Sequence, residues 1–377
     1  MSELYKLPAG WEWKKLGEVS KKIFAGGDKP DQVSEYSTKE LPIPIYANGV
    51  KNDGLYGYSN VYKVDEECVT ISARGTIGYS VVRNEKFLPI VRLIVVIPNL
   101  DLLSKFLKNY LDFEIVSNTG SSIPQLTVPA VKSIQIPLPP LAEQKRIVAK
   151  LDSLFEKIDK AIELHQQNIT NANTLMASTL DKTFKKLKTY EWCKLGDRKV
   201  CNLIMGQSPD SKSYNFNGIG MPFFQGKKEF GDLYPTVEQY TTEPKKVAEK
   251  GDILLSVRAP VGPTNIANIQ CCIGRGLSAI SPNKDNSLTN YLLYFFRNFE
   301  LLISNKGKGS TFSAITKKDL EDIHVPLPPL PIQQQTVEYL DSIATKVDKI
   351  KQLNEQKLEN LKALKASILD KAFRGEL

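Results

Sequence analysis

The sequence predicts an α+β protein in which two globular domains are joined by two long antiparallel coiled-coil helices. The whole is an internal tandem repeat with pseudo-two-fold symmetry. Three observations lead there. A proline-led stretch, IPLPPLAEQKRIVAKLDSLFEKIDKAIELHQQ from Ile136, returns as VPLPPLPIQQQTVEYLDSIATKVDKIKQLNEQ from Val325. Pro137 maps onto Pro326 and Phe184 onto Phe373 without a gap, a match at one register that marks a duplication. Each copy also follows a region where short β-rich runs alternate with Gly, Pro and Asn turns before helical spacing sets in.

Taken in order, each repeat opens alike. Glu12-Trp13-Lys14-Lys15-Leu16-Gly17-Glu18 matches Glu191-Trp192-Cys193-Lys194-Leu195-Gly196-Asp197. In the first repeat, strands are expected at Cys68–Ser72, Tyr79–Val82 and Arg92–Ile97, with turns at Ala47-Asn48-Gly49 and Asn52-Asp53-Gly54. Asp101 to Val116 then has helical periodicity, with Leu103, Phe106, Leu107, Tyr110 and Leu111 on one side. The second repeat gives a strand at Asp252–Val257, a turn at Ala259–Pro263 and a helix at Leu288–Ile303. The expected division is a globular domain at 1–140, a long helix at 141–186, a second globular domain at 187–329 and a second long helix at 330–377. Ser72–Gly78 faces Ser256–Gly262, and Pro44-Ile45-Tyr46 faces Pro222-Phe223-Phe224, at registers that differ by insertions. One frame therefore carries two different heads.

Proline cannot sit inside a helix, so Pro139-Pro140 set the helix start near Leu141. From Leu151, steps of four and three reach Phe155, Ile158, Ile162, His165, Ile169, Ala172 and Met176, a heptad seam. The second copy offers Leu340, Ala344, Val347, Lys351, Asn354, Leu358, Leu361 and Lys365, with Ile343, Ile350, Leu353, Leu364 and Ile368 expected to widen the stripe. A helix of ~40 residues is roughly 60 Å long. Its seam needs a partner, and the other copy is at hand. Antiparallel pairing brings the two polar interruptions together, so His165 and Asn354 are expected to fix the register mid-rod.

Composition bounds the function. A hydrophobic share of 41% and a charged share of 24% are ordinary for a soluble globular protein of 377 residues. The excess of 50 basic over 42 acidic side chains, a formal +8, suits contact with a polyanion through part of the surface. Five scattered cysteines without a CxxC pair, and only His165 and His324, predict neither a disulfide framework nor a metal site. No apolar run is long enough to span a membrane, and the start lacks a signal peptide, so the chain reads as cytoplasmic. P-loop, HExxH and GxSxG signatures are missing, and Phe24-Ala25-Gly26-Gly27-Asp28 reads as a turn, so no catalytic residue is assigned.

The heads carry polar loops suited to DNA. Arg74 and Arg258 each follow a strand and precede a turn, where a guanidinium suits guanine or phosphate. Tyr46, Asn48, Lys51, Tyr58 and Thr76 accompany Arg74, while Gln225, Lys227 and Lys228 hold the place in the second head. Ser121, Ser122 and Gln125, then Lys306, Lys308, Ser310 and Thr311, follow each head's helix and suit phosphate contacts.

These features resemble one family, the specificity subunits of type I restriction-modification systems. The resemblance rests on PLPPL-x-x-Q-x-x-[IT]-V-x-x-L-D at Leu138–Asp152 and Leu327–Asp341, the helices that follow, the WxWxxLG opening at Trp11–Gly17, and two dissimilar heads. It covers essentially the whole chain. It implies that each head is a target recognition domain reading one half of a split, asymmetric site in double-stranded DNA. It implies two methyltransferase (modification) subunits docked on the helices, restriction/translocase subunits reached through the complex, and a chain acting as a monomeric pseudo-dimer. S-adenosylmethionine, ATP and Mg would then belong to the partners, with no cofactor in this chain. One departure stands out: Glu143, Lys145 and Arg146 are replaced by Ile332, Gln334 and Gln335, which predicts unequal docking at the two sites. Two other readings compete, a stand-alone two-headed DNA-binding regulator or architectural protein and a methyltransferase with its own recognition domains. The second lacks cofactor motifs.

Overall fold

The computed structural model describes residues 5–118, 125–306 and 314–377. The chain packs as two compact units, one of Met1–Gln166 with Gln356–Leu377 and the other of Gln167–Glu355.

The first unit contains β1 (Glu12–Lys15), β2 (Ser20–Ala25), β3 (Ile43–Tyr46), β4 (Leu55–Ser59), β5 (Cys68–Ile71), β6 (Ser80–Arg83), β7 (Leu88–Pro89) and β8 (Ile94–Pro98). Helices α1 (Ser104–Asn118) and α2 (Val128–Ser133), strand β9 (Gln135–Leu138) and the start of α3 (Leu141–Lys186) follow. The central sheet has the order β2-β8-β5-β6 and is antiparallel throughout. Strand β5 is buried at every position because both its faces are covered. Val69, Ile71, Ile94 and Val96 pack with Phe106, Leu107 and Leu111 of α1. Cys68, Val95 and Ile97 pack with Tyr46 and Phe87 beside the smaller sheet β4-β3-β7. Helix, sheet and small sheet form three layers.

The second unit repeats this frame. Its strands are β10 (Trp192–Lys194), β11 (Cys201–Met205), β12 (Tyr214–Asn215), β13 (Met221–Phe224), β14 (Tyr240–Thr241), β15 (Val247–Ala248), β16 (Ile253–Ser256), β17 (Thr264–Ile266), β18 (Cys271–Ile273) and β19 (Leu277–Pro282). Then come α4 (Thr289–Lys306), α5 (Lys317–Glu321), β20 (His324–Pro326) and α6 (Leu330–Arg374). Sheet β11-β19-β16-β17 reproduces the first central sheet. Strands β13 and β18 pair in parallel as β3 and β7 do. The insertions fall in the second layer, which grows to five strands in the order β12-β14-β13-β18-β15. Thus the heads share their central sheet and differ in what covers it.

The repeated opening motif has a physical role. Trp13 in β1 pairs with Pro137 in β9, and the Leu16 and Gly17 amides donate to the carbonyls of Ile134 and Lys132. In the second unit Trp192 pairs with Pro326, and the Leu195 and Gly196 amides donate to Ile323 and Glu321. Each head is thereby tied shut just before its prolines. Gly26, expected to lie in a turn, has its Cβ position 2.6 Å from the Pro89 backbone, so only glycine fits that close approach.

Helix α3 has 46 residues, about 69 Å at ~1.5 Å per residue. In the first unit its early turns run antiparallel to the end of α6. Arg146 Nη2 donates to the Leu377 carbonyl at 2.6 Å, and Asp159 pairs with Lys365 at 2.5 Å. In the second unit its later turns meet the first half of α6, and Asn168 Nδ2 donates to Asn354 Oδ1 at 3.3 Å. The seam positions Leu151, Ile158, Ala172, Leu340 and Val347 are buried. Phe155, Ile162, His165, Ile169, Asn354, Leu358 and Leu361 are half-buried. One expectation is corrected: Ile350, Leu353 and Leu364, expected to widen the stripe, are 40%, 51% and 48% exposed. A two-helix contact covers the a/d seam and leaves its flanks in solvent.

Each helix end also plugs a head. Phe373 of α6 lies edge-on to Phe106 and Tyr110, with ring centroids 5.4 and 5.0 Å away. In the second unit Phe184 of α3 stands 5.7 Å from both Tyr291 and Phe295.

Candidate nucleic-acid interface

Both heads build the same strand end. In the second, β16 runs into a turn where the Gly262 amide donates to the Ser256 carbonyl at 3.0 Å. Ser256 Oγ donates to the carbonyls of Arg258 and Pro260, which fixes the turn. In the first, the Gly78 amide donates to the Ser72 carbonyl at 3.0 Å and the Gly49 amide to Ser72 Oγ at 3.2 Å. Arg258 and Arg74 are thus presented at matching places, both exposed.

The second head gathers four of its expected residues. Gln225, Lys227, Lys228 and Arg258 line one open cleft of about 500 Å³, with Gly276 on its wall. A Cβ on Gly276 would come within 2.4 Å of the Gln225 carbonyl, so glycine lets the backbones touch there. Gln225 Nε2 donates to Gln239 Oε1 at 2.8 Å, and Lys228 pairs with Glu238 at 3.3 Å. Glu300 packs beneath the turn, its Cγ 3.0 Å from the Cβ position of Gly262. Burial pushes its carboxyl above the ordinary range, against the pull of Lys227 and Arg297. Gln239 lies on a segment with no local signal, and Glu300 sits on a helix read only as a helix, so the sequence did not single them out.

The first head joins its residues by hydrogen bonds. Asn48 Oδ1 accepts from the Ala73 amide at 2.7 Å, and its Nδ2 donates to the Val91 carbonyl at 2.6 Å. Arg74 Nη2 donates to Gln125 Oε1 at 3.0 Å. Asn48, Arg74 and Gln125 therefore belong to one surface, with Thr76 exposed two residues on. Lys51 is exposed on the turn Lys51–Gly54, which Tyr79 holds by donating to Asp53 Oδ1 at 2.5 Å. Tyr58 is half-buried on β4, its backbone paired with Ser34.

Tyr46 requires a correction. Expected on the DNA surface, it is 8% exposed, because the small sheet must bury an apolar face against the central one. Its hydroxyl donates to Glu85 Oε1 at 2.6 Å, and the Arg83 guanidinium lies 3.5 Å from its ring centroid. Burial, with help from Glu85, pushes the phenol up to about 12. Tyr46 is a packing residue. Ser121, Ser122, Lys308, Ser310 and Thr311 lie outside the described residues, and Lys306 is the last residue of α4.

Two glutamines emerge that spacing alone did not single out. Gln144 is fully buried. Its Oε1 accepts from the Leu103 amide, and its Nε2 donates to the carbonyls of Asp101 and Pro139 at 2.8 and 2.9 Å. Gln333 does the same with the Leu288 amide and the Asn286 and Pro328 carbonyls. Each locks the start of a long helix to its head. The chemistry on offer is recognition: guanidinium, amide and ammonium groups on rigid strand ends, suited to base edges and phosphates. Among the described residues no group of His, Cys, Asp and Glu is placed to hold a metal. All five cysteines are free and buried, and burial pushes Cys68, Cys201 and Cys271 up to about 12.

Comparison with known proteins is consistent with this geometry. The family model described as type I restriction modification DNA specificity domain matches twice, at residues 8–172 and 188–362. The putative type I restriction enzyme MjaX specificity subunit of Methanocaldococcus jannaschii is 37% identical over 281 residues. That match covers 70% of this chain and 64% of the relative, so the chain spans less than two thirds of that relative's length. The MjaIX specificity subunit of the same organism is 23% identical, with 100% of this chain and 95% of the relative covered. A solved chain from a study of complex assembly and conformational transition of the type I R-M system matches at TM-score 0.82 and 34% identity, covering 99% of this chain and all of that one. The HsdS subunit of Thermoanaerobacter tengcongensis matches at TM-score 0.57 and 34% identity, with 100% and 99% covered.

Proposed function

Because the chain belongs to the type I restriction-modification DNA specificity family, we propose that it is the non-catalytic subunit that selects the DNA sequence. Each head reads one half of a bipartite, asymmetric target in double-stranded DNA. The observation that carries this is the duplicated strand end: Arg74 and Arg258 stand on equivalent turns of a shared frame, surrounded by different side chains. A common frame supplies common phosphate geometry, and divergent loops supply divergent base readout.

The helices serve as ruler and platform in this reading. Their gapless match keeps a fixed length between repeats. A recurrence of DNA faces every ~34 Å makes such a length a selector of spacer. Two methyltransferase subunits dock on the helix flanks. In the first unit Leu164 and Leu364 are 58% and 48% exposed there, and in the second Leu175, Ile350 and Leu353 are 49%, 40% and 51% exposed. The partners contribute S-adenosylmethionine chemistry, with ATP and Mg acting in restriction/translocase subunits. A cytoplasmic place follows from that role, and among the described residues no helix is long and apolar enough to cross a membrane.

Arg258→Ala and Arg74→Ala test the two-head reading in the assembled methyltransferase. Each should relax readout at one half-site only, by about 1–3 kcal/mol for a lost bidentate base contact. Loss of both half-sites together in either variant would contradict independent heads.

A further inference from the structure

An aromatic socket lies where each head meets the helix end that plugs it, and the two sockets are filled differently. In the first unit the occupant is Tyr5. Its hydroxyl donates to the Phe373 carbonyl at 2.7 Å, and its own carbonyl accepts from Trp13 Nε1 at 3.1 Å. Its ring stands edge-on to Trp13 at 5.0 Å, and the Arg374 guanidinium lies 4.6 Å from its centroid. Asp370 and Glu114 are close enough to act on its phenol electrostatically.

The same socket exists in the second unit as a cavity of about 340 Å³. Trp192 stands for Trp13, Phe184 for Phe373, Lys185 for Arg374 and Asp181 for Asp370. The residue at the matching place in the second repeat is not free to fill it. Counting back from Trp192 as Tyr5 lies from Trp13 reaches Phe184, which is fixed in α3 with its ring against Tyr291 and Phe295. Trp192 remains 40% exposed.

The lining also differs in a directed way. Glu114 is replaced by Phe299, which makes the floor more apolar, and Leu377 by Lys188, which makes the rim basic. His324 joins that rim, while Lys185 is already paired with Asp181 at 2.7 Å. An apolar floor with a tryptophan wall suits an aromatic anchor, and the Lys188 ammonium at the rim suits a carboxylate beside it.

We propose that this socket is a docking site for a segment of a methyltransferase partner that inserts an aromatic side chain with an acidic residue beside it. The first head is closed by its own tyrosine and the second is completed by the partner, so the two ends of the pseudo-symmetric chain are distinguished. The proposal rests on the specificity-subunit reading above.

The test titrates the full chain with purified methyltransferase subunit, comparing wild type, Trp192→Ala and Lys188→Glu, with duplex DNA binding by the chain alone as the check on folding. Both variants should bind one of the two methyltransferase subunits at least tenfold more weakly, while binding of the other and of DNA is unchanged. Equal affinity in all three proteins would overturn the socket and leave the subunit reading standing. A wild-type chain that binds no methyltransferase would remove that reading and the proposal with it. Self-association of the wild type that Trp192→Ala abolishes would make a second copy the occupant, which also overturns the proposal.

Discussion

Gln144 and Gln333 show how much one side chain does here. Each is fully buried and satisfies one backbone donor and two acceptors where a helix leaves its head. Gln144→Ala should therefore leave buried backbone groups without partners, at about 1–3 kcal/mol for each such group. Urea unfolding should register that loss, and Gln333→Ala should give a similar one. A glutamine whose removal leaves the unfolding midpoint in place would not be a clamp. The glutamine was legible in the sequence as part of PLPPL-x-x-Q, but its role was not. Its partners Asp101 and Leu103 lie some forty residues away, and no local pattern marks a carbonyl as needing a donor. Tyr46 failed for the opposite reason. Its loop looked polar, while the residues that bury it, Phe87 and Arg83, arrive from elsewhere in the sheet.

At the scale of elements, the heptad spacing read the helices closely. Prolines set both starts, at Leu141 and Leu330, and the seam falls on Leu151, Ile158, Leu340 and Val347. What periodicity did not resolve was the width of the stripe, since a leucine such as Leu353 has the same hydrophobicity on a flank as in a seam. The substitution of Glu143 and Arg146 in the second copy also gains a local reason. Those two form a bidentate pair, and Arg146 also holds the Leu377 carbonyl, where the second copy has Lys188 in place of Leu377. Within each unit, climbing α3 goes with descending α6, so a ruler can be lengthened only in both helices. Seven residues inserted between Ile158 and Ala172, with seven more at the facing turns of α6, should lengthen it by about 10.5 Å. The methylated spacer should then grow by about three base pairs, with both half-sites kept. An unchanged spacer in an active complex would contradict the ruler.

For the whole molecule, the duplication was legible because helices tolerate no gaps, so one register survived along their full length. The shared frame of the heads was less legible. Insertions in the second layer displaced the alignment, and the matching sheet orders, together with the backbone bonds around Ser72 and Ser256, restore it. The sockets at Trp13 and Trp192 were not legible at all, because their asymmetry depends on which chain segment folds back into them. In the proposed function one chain carries two independent readers. Single-molecule methylation mapping of DNA from cells expressing this chain with its methyltransferase tests it most directly. Two independent readers give one methylated motif made of two short specific halves separated by a fixed non-specific spacer. A continuous motif with no spacer would contradict it.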